Sequence, residues 1–188
     1  EGLPHAPVMA WHGEGGRRAE IALAAPSDQR DALTAVLDHL RAEGSIDSVE
    51  AVGHRVVHGG ETLVAPCLVD TATLQLLDSL APLAPLHQSH CVAGIRAMAA
   101  IAPGVPQVAC FDTAFHATQP ALHTTLALPQ AWRERGARRY GFHGLSYESI
   151  AQQLPALPGA DADGRIVVAH LGSGASLCGM RERRSPDY

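Results

Sequence analysis

The chain has 188 residues, enough for one ordinary domain or for one domain and part of a second. Hydrophobic residues make up 46% and aromatic residues 4%, so a core is available but must be built mainly from Ala, Leu and Val. A formal net charge of -5 argues against a general nucleic-acid binder, which needs a basic face, and leaves room for a small anion held by a few local arginines.

No run approaches the roughly eighteen apolar residues that a membrane helix needs. No signal peptide is visible, although the chain begins at Glu1 without a Met. Cys67, Cys91, Cys110 and Cys178 lack CxxC spacing and read as small apolar residues in a reducing compartment, so the cytoplasm is the expected location.

In chain order, residues 8–11 and 19–23 flank a Gly-rich turn and predict a hairpin. That turn lacks the Lys-Ser/Thr ending of a phosphate loop. Residues 27–41 predict a helix with Leu33, Val36, Leu37 and Leu40 on one stripe. Ser27 is its expected cap, Asp28 and Asp31 suit its positive end, and Gly44 ends it.

Residues 48–58 predict a strand that runs into Gly59-Gly60. Alternation puts Arg55 and Val57 on one face and His54, Val56 and His58 on the other. A guanidinium followed by an apolar side chain on one face suits a short-chain carboxylate, and the same Arg also reads as a solvated edge residue. His54 and His58 have the spacing of a helical zinc pair, but a strand sets the two rings too far apart for easy joint ligation.

Residues 70–80 predict a short helix capped by Asp70, followed by a Pro-stiffened loop carrying Leu86 and His87. Residues 89–102 predict a helix, and 107–111 a buried strand with Asp112 at its end. A carboxylate at that place needs a cationic partner, and Asp112-Thr113 equally reads as a turn cap. Residues 119–135 read as connecting structure.

The run Arg138-Arg139-Tyr140-Gly141-Phe142-His143-Gly144 sets one imidazole between glycines, with arginine charge that suits a carboxylate or phosphoryl group. His143 can donate a hydrogen bond to an oxygen as charge develops, and Phe142 adds an apolar wall; taken alone, a His in such a turn is more often structural. Residues 146–154 start a helix, and 155–163 read as a boundary between lobes. Residues 166–170 predict a strand that turns through Gly172-Ser173-Gly174 into 175–180. Such a turn can aim backbone N–H groups at a phosphate, or be a plain hairpin.

Five runs in this order resemble the acetate kinase family of acetate, propionate and butyrate kinases. They are Gly53-His54-Arg55-Val56-Val57-His58-Gly59-Gly60, Ala84-Pro85-Leu86-His87, Phe111-Asp112-Thr113-Ala114-Phe115-His116, the His143 run, and His170-Leu171-Gly172-Ser173-Gly174-Ala175-Ser176. The resemblance extends from about residue 51 to residue 180. It implies an α/β fold of the ribonuclease H-like, actin/hexokinase type, with a mixed sheet flanked by helices and incomplete at both ends.

The resemblance also implies reversible phosphoryl transfer between ATP and a short-chain carboxylate, acetate first, with Mg²⁺ as cofactor. By that resemblance Arg55 holds the carboxylate, while Val57, Leu86 and Phe142 shape the acyl pocket. Asp112 lies near the metal or the in-line phosphoryl group, and His87, His143 and His170 surround the developing charge. Gly172, Ser173 and Gly174, with His170, meet the nucleotide phosphates. No residue is assigned as a metal ligand. A homodimeric parent is implied, with no nucleic-acid or membrane partner.

Three places depart from the family pattern: Gln88 stands where Asn is usual, Leu145-Ser146-Tyr147 where Thr-Ser-His is usual, and Ser173 where Asn is usual. The expected division is residues 1–160 as a first lobe without its opening hairpin, and 161–188 as the first hairpin of a second lobe. Little turnover is expected from the isolated chain. The alternatives are a non-catalytic ligand- or partner-binding remnant of the same fold, and a metal hydrolase built on the eleven histidines.

Overall fold

The computed structural model describes residues 5, 7–13, 16, 18–24, 28–46, 48–159 and 161–187. The chain forms two compact units. One runs up to Val52 and takes in His90–Gln107; the other comprises Gly53–Ser89 and the chain from Val108 onward.

In the first unit β1 (Val8–His12) pairs antiparallel with β2 (Arg18–Ala22), in register from Val8↔Ala22 to His12↔Arg18. Strict alternation of half-buried and exposed positions is what a two-stranded ribbon with one covered face requires. Trp11 stands edge-on to His39, with ring centroids 5.2 Å apart.

His39 belongs to α1 (Gln29–Ala42). The expected cap, Ser27, lies outside the described residues. Asp28 caps the helix, accepting from Asp31 N–H at 3.0 Å while Asp31 accepts from Asp28 N–H at 3.2 Å. At the other end Gly44 takes φ +68°, and Ser45 N–H reaches the Leu40 carbonyl at 2.9 Å, a Schellman stop. Later in the unit, Val92, Ile95 and Met98 of α3 (Gln88–Ile101) are buried at helical spacing.

A mixed three-stranded sheet has the order β3-β5-β4, with β3 at Val52–Val56, β4 at Cys67–Leu68 and β5 at Gln107–Phe111. Val52 N–H donates to the Pro106 carbonyl and Asp112 N–H to the Val56 carbonyl, so β3 and β5 run the same way. β4 runs antiparallel to β5. Between β4 and α3 lies α2 (Thr71–Ser79), capped by Asp70, which accepts from Thr73 N–H at 2.7 Å. Two short helices, α4 (Ala121–Thr124) and α5 (Gln130–Glu134), fill the connection after β5.

The chain then enters α6 (Gly144–Gln153), whose Tyr147 and Ala151 pack with Cys178 and Met180 in one buried cluster. The partner sheet is antiparallel, β6 (Arg165–Leu171), β7 (Ala175–Arg181) and β8 (Arg184–Asp187). β8 is not expected from the sequence. Its two-residue turn, Glu182-Arg183, takes φ 52° and 58°, a pair of left-handed values usually met by Asn-Gly. Asp163 braces that turn, accepting from Glu182 N–H through its carbonyl at 3.0 Å and from Arg183 Nε at 2.9 Å.

Candidate functional site

All of the site lies in the second unit. It starts where β3 and β5 end together. Arg55 emerges from β3 and Asp112 follows β5, and the two meet in a forked pair: Nε to Oδ2 at 3.0 Å, Nε to Oδ1 at 3.2 Å and Nη2 to Oδ2 at 2.6 Å. Asp112 is buried while the Arg55 side chain is 61% exposed, so the carboxylate is the fixed member and the guanidinium the presented one. This gives Asp112 the cationic partner its burial demands.

The turn after β3 is tied down by side chains. Gln88 acts as a strand rung: its Oε1 accepts from His58 N–H at 3.2 Å, and its Nε2 donates to the carbonyls of His58 at 3.0 Å and Leu77 at 3.3 Å. Thr113 Oγ1 accepts from Gly59 N–H at 3.1 Å, and His58 Nδ1 accepts from Gly60 N–H at 2.9 Å. His58 is therefore a neutral imidazole, and burial pushes its pKa below the ordinary 6.5. Its ring stands edge-on to Tyr140 and Phe142, 4.4 and 5.7 Å between centroids.

The His143 loop is pinned to the same strand ends. Gly144 N–H donates to the Asp112 carbonyl at 2.8 Å, and a Cβ on Gly144 would lie 2.3 Å from that oxygen. Gly141 packs so closely on His116 that a Cβ would come within 2.5 Å of its ring. His116 Nε2 donates to the Phe142 carbonyl at 3.0 Å, which leaves Nδ1 to accept from Ser185 Oγ at 2.7 Å. Ser185, on β8, also accepts from Gln119 Nε2 at 3.2 Å and lies 3.5 Å from the Cys178 thiol. Burial lowers the His116 pKa, so this buried network is neutral.

His143 itself takes φ 57° and ψ 22°, left-handed for a non-glycine residue, at the head of α6. Its ring stacks on His170 at 4.1 Å between centroids, and its Nδ1 lies 2.7 Å from Ser176 Oγ. Ser176 is also bonded to the Tyr147 hydroxyl. The β6–β7 register pairs His170 with Ser176, which is why one cross-strand pair brackets one imidazole. His170 Nδ1 is held by Ser146 Oγ at 3.1 Å. Partial burial lowers the His143 pKa most, the neighbouring His170 lowers it further, Asp112 raises it and Arg55 lowers it.

These groups border a cleft of about 510 Å³ lined by Arg55, Val57, Leu83, Ala84, Pro85, Leu86, His87, Asp112, Phe142, His143, Ser173 and Gly174. Of the residues expected from the sequence, His170 sits behind His143 rather than on the wall, and Gly172 spends its N–H on the Gly174 carbonyl at 3.0 Å. The arginine pair of the His143 run is not on the cleft. Arg138 bonds Glu61 at 3.0 Å and lies over the Tyr140 ring, so its charge is spent structurally. Sequence reading missed Ser176 and Tyr147; the position of Tyr147, one helical turn beyond His143, was the available signal.

Among the described residues no group of three or more His, Cys, Asp or Glu side chains could hold a metal ion, and both oxygens of Asp112 bond Arg55.

Comparison with known proteins places this geometry in context. The acetokinase family model matches residues 5–188. Acetate kinase of Rhodopseudomonas palustris is 46% identical over 183 residues, covering 97% of this chain and 46% of that protein. The crystal structure of a propionate kinase from Francisella tularensis superposes with a TM-score of 0.90 at 30% identity, covering 100% of this chain and 48% of that one. That of Porphyromonas gingivalis acetate kinase gives 0.84 at 33%, covering 96% and 47%. The chain thus spans about half the length of the curated relatives it matches.

Proposed function

The chain belongs to the acetokinase family, with the α/β fold of the actin/hexokinase type, and from that premise we propose that its whole protein transfers a phosphoryl group reversibly between ATP and a short-chain carboxylate, acetate first. The observation that carries this reading is the Arg55–Asp112 fork at the rim of a cleft whose neighbouring walls, Val57, Leu86 and Phe142, are apolar. A carboxylate needs the cation and its alkyl end needs the wall.

Asp112 takes the Nε–Nη2 edge of Arg55 and so orients the guanidinium that would meet the substrate carboxylate. The carboxylate oxygen attacks the γ-phosphorus, the bond from phosphorus to the bridging oxygen breaks, and ADP leaves with those electrons. Charge spreads over the three equatorial oxygens, where Arg55, His87 and His143, which line the cleft, would donate. The Ser173-Gly174 side of the cleft faces the nucleotide phosphates. Mg²⁺ bound with the nucleotide would neutralise its phosphates.

We further propose residues 1–160 as a first lobe and 161–188 as the opening of a second, a cytoplasmic homodimeric parent, and little turnover from these 188 residues alone. Cys67, Cys91, Cys110 and Cys178, in no disulfide, suit a reducing compartment, and among the described residues no helix is long and apolar enough to cross a membrane.

The test is acyl-phosphate formation by the full-length protein from ATP with acetate, propionate or butyrate, trapped as the hydroxamate. Arg55→Ala should lower kcat/KM for the acid by roughly 100-fold or more, the usual cost of losing a positioning clamp. ATP and acetyl phosphate binding without any turnover would favour the non-catalytic alternative.

A further inference from the structure

The Tyr147–Ser176–His143 chain has a direction. Tyr147 is fully buried, and its hydroxyl meets Ser176 Oγ, which in turn lies 2.7 Å from His143 Nδ1. A phenol is a stronger acid than an aliphatic alcohol, so the phenolic proton points at the serine oxygen. The single serine proton then goes to its other neighbour, His143 Nδ1. A ring that accepts at Nδ1 and is neutral carries its one proton on Nε2. That nitrogen lies at the cleft beside Gly174, where an added Cβ would approach it to 3.2 Å.

We propose that Tyr147 and Ser176 are positioning residues that hold His143 as its Nε2–H tautomer, so that it presents a hydrogen-bond donor, not a base, to an anionic oxygen in the cleft. The anion rests on the functional reading above; the tautomer rests on the contacts alone. From its left-handed backbone His143 turns Nδ1 to Ser176 on β7. The stack on His170 keeps the ring in that plane. Gly174 leaves open the space that Nε2 faces.

The experiment is nitrogen NMR of the full-length protein labelled at histidine, without substrate, read beside steady-state kinetics. Wild type should show His143 protonated at Nε2 at neutral pH. Tyr147→Phe keeps the ring in the core and removes only the hydroxyl; Ser176→Ala removes the link. Both should shift His143 toward the Nδ1–H form and lower kcat roughly tenfold, the worth of one lost hydrogen bond, with KM for acetate moved no more than about twofold. Ser176→Thr, which restores a hydroxyl, should bring the Nε2–H form and the rate back. An Nδ1–H signal in wild type, or an unchanged tautomer in both variants, overturns the proposal. So does a tautomer that moves while kcat does not. If the protein transfers no phosphoryl group at all, the spectra still decide the relay, and only the functional reading falls.

Discussion

His143 holds φ at 57° although it has a Cβ, which costs about 1–3 kcal/mol unless neighbours over-determine the conformation. Here they do: Gly144 is bonded to Asp112, the ring is stacked on His170, and Nδ1 is tied to Ser176. Asn tolerates this backbone best among non-glycine residues. His143→Asn should therefore leave the unfolding free energy within about 1 kcal/mol while lowering kcat at least ~100-fold, the usual loss when a transition-state donor is removed. Denaturant titration together with turnover would check it; a variant that is both stable and active would remove His143 from the reaction. At this scale the residues alone leave Arg55 open as a solvated edge residue and Asp112 as a turn cap, and only the family resemblance favours the site; both were still legible as candidates. Tyr147 and Ser176 were not, because their meaning comes from a hairpin register and a helix that converge from separate segments. Arg138 misled for the matching reason: its nearness to His143 in sequence says nothing about Glu61, seventy-seven residues earlier, which takes its charge.

Elements carry their own departures. Most helices and strands followed from period and capping: α2 sits behind Asp70, β5 spans Gln107–Phe111, and β6–β7 turns through the glycines. β8 escaped because Glu182-Arg183 spells nothing like a tight hairpin, yet both residues hold left-handed φ. Replacing the pair by Asn-Gly should relieve that backbone and raise stability by about 1–2 kcal/mol, less the small worth of the exposed Arg183–Asp163 contact. Thermal unfolding would show it as a higher midpoint, and no rise would mean that Asp163 already compensates the turn. Gln88, at the start of α3, is the second departure. Its lengthened arm, relative to the Asn usual at that place, ends in three backbone bonds. Gln88→Ala strands the His58 N–H and two carbonyls in a buried place and should cost at least ~2 kcal/mol. Chemical denaturation is the measurement, and a cost under half of that would show that another group takes over.

For the molecule as a whole, two buried imidazoles set an acid limit. His58 and His116 both have pKa values lowered by burial from 6.5, and each accepts a hydrogen bond at Nδ1. The unfolded chain takes up those protons first, so their contribution is fully present above about pH 6.5 and is lost as pH falls through the lowered folded values. Denaturation midpoints measured from pH 7.5 down to 5 should fall, and a variant with His116 replaced by Gln should fall less steeply; parallel curves would assign the acid limit elsewhere. A second whole-molecule property is an apolar strip on the outer face of the β6–β7 pair, where Val167, Leu171 and Leu177 are 73, 79 and 60% exposed. The 188-residue chain should associate as its concentration rises, and Val167→Lys with Leu177→Lys should suppress this in sedimentation velocity. Neither property could be read from composition, since a hydrophobic share of 46% does not say which valines face outward.

The Gln88 rung bears on how such a protein can change. Val57, on the cleft wall, stands one residue before His58, whose N–H and carbonyl Gln88 grips. Gln88 lines no part of the cleft, yet its amide holds the peptide next to one of the cleft's walls. A change at the head of α3 therefore reaches Val57 through the backbone, without touching a side chain that lines the cleft.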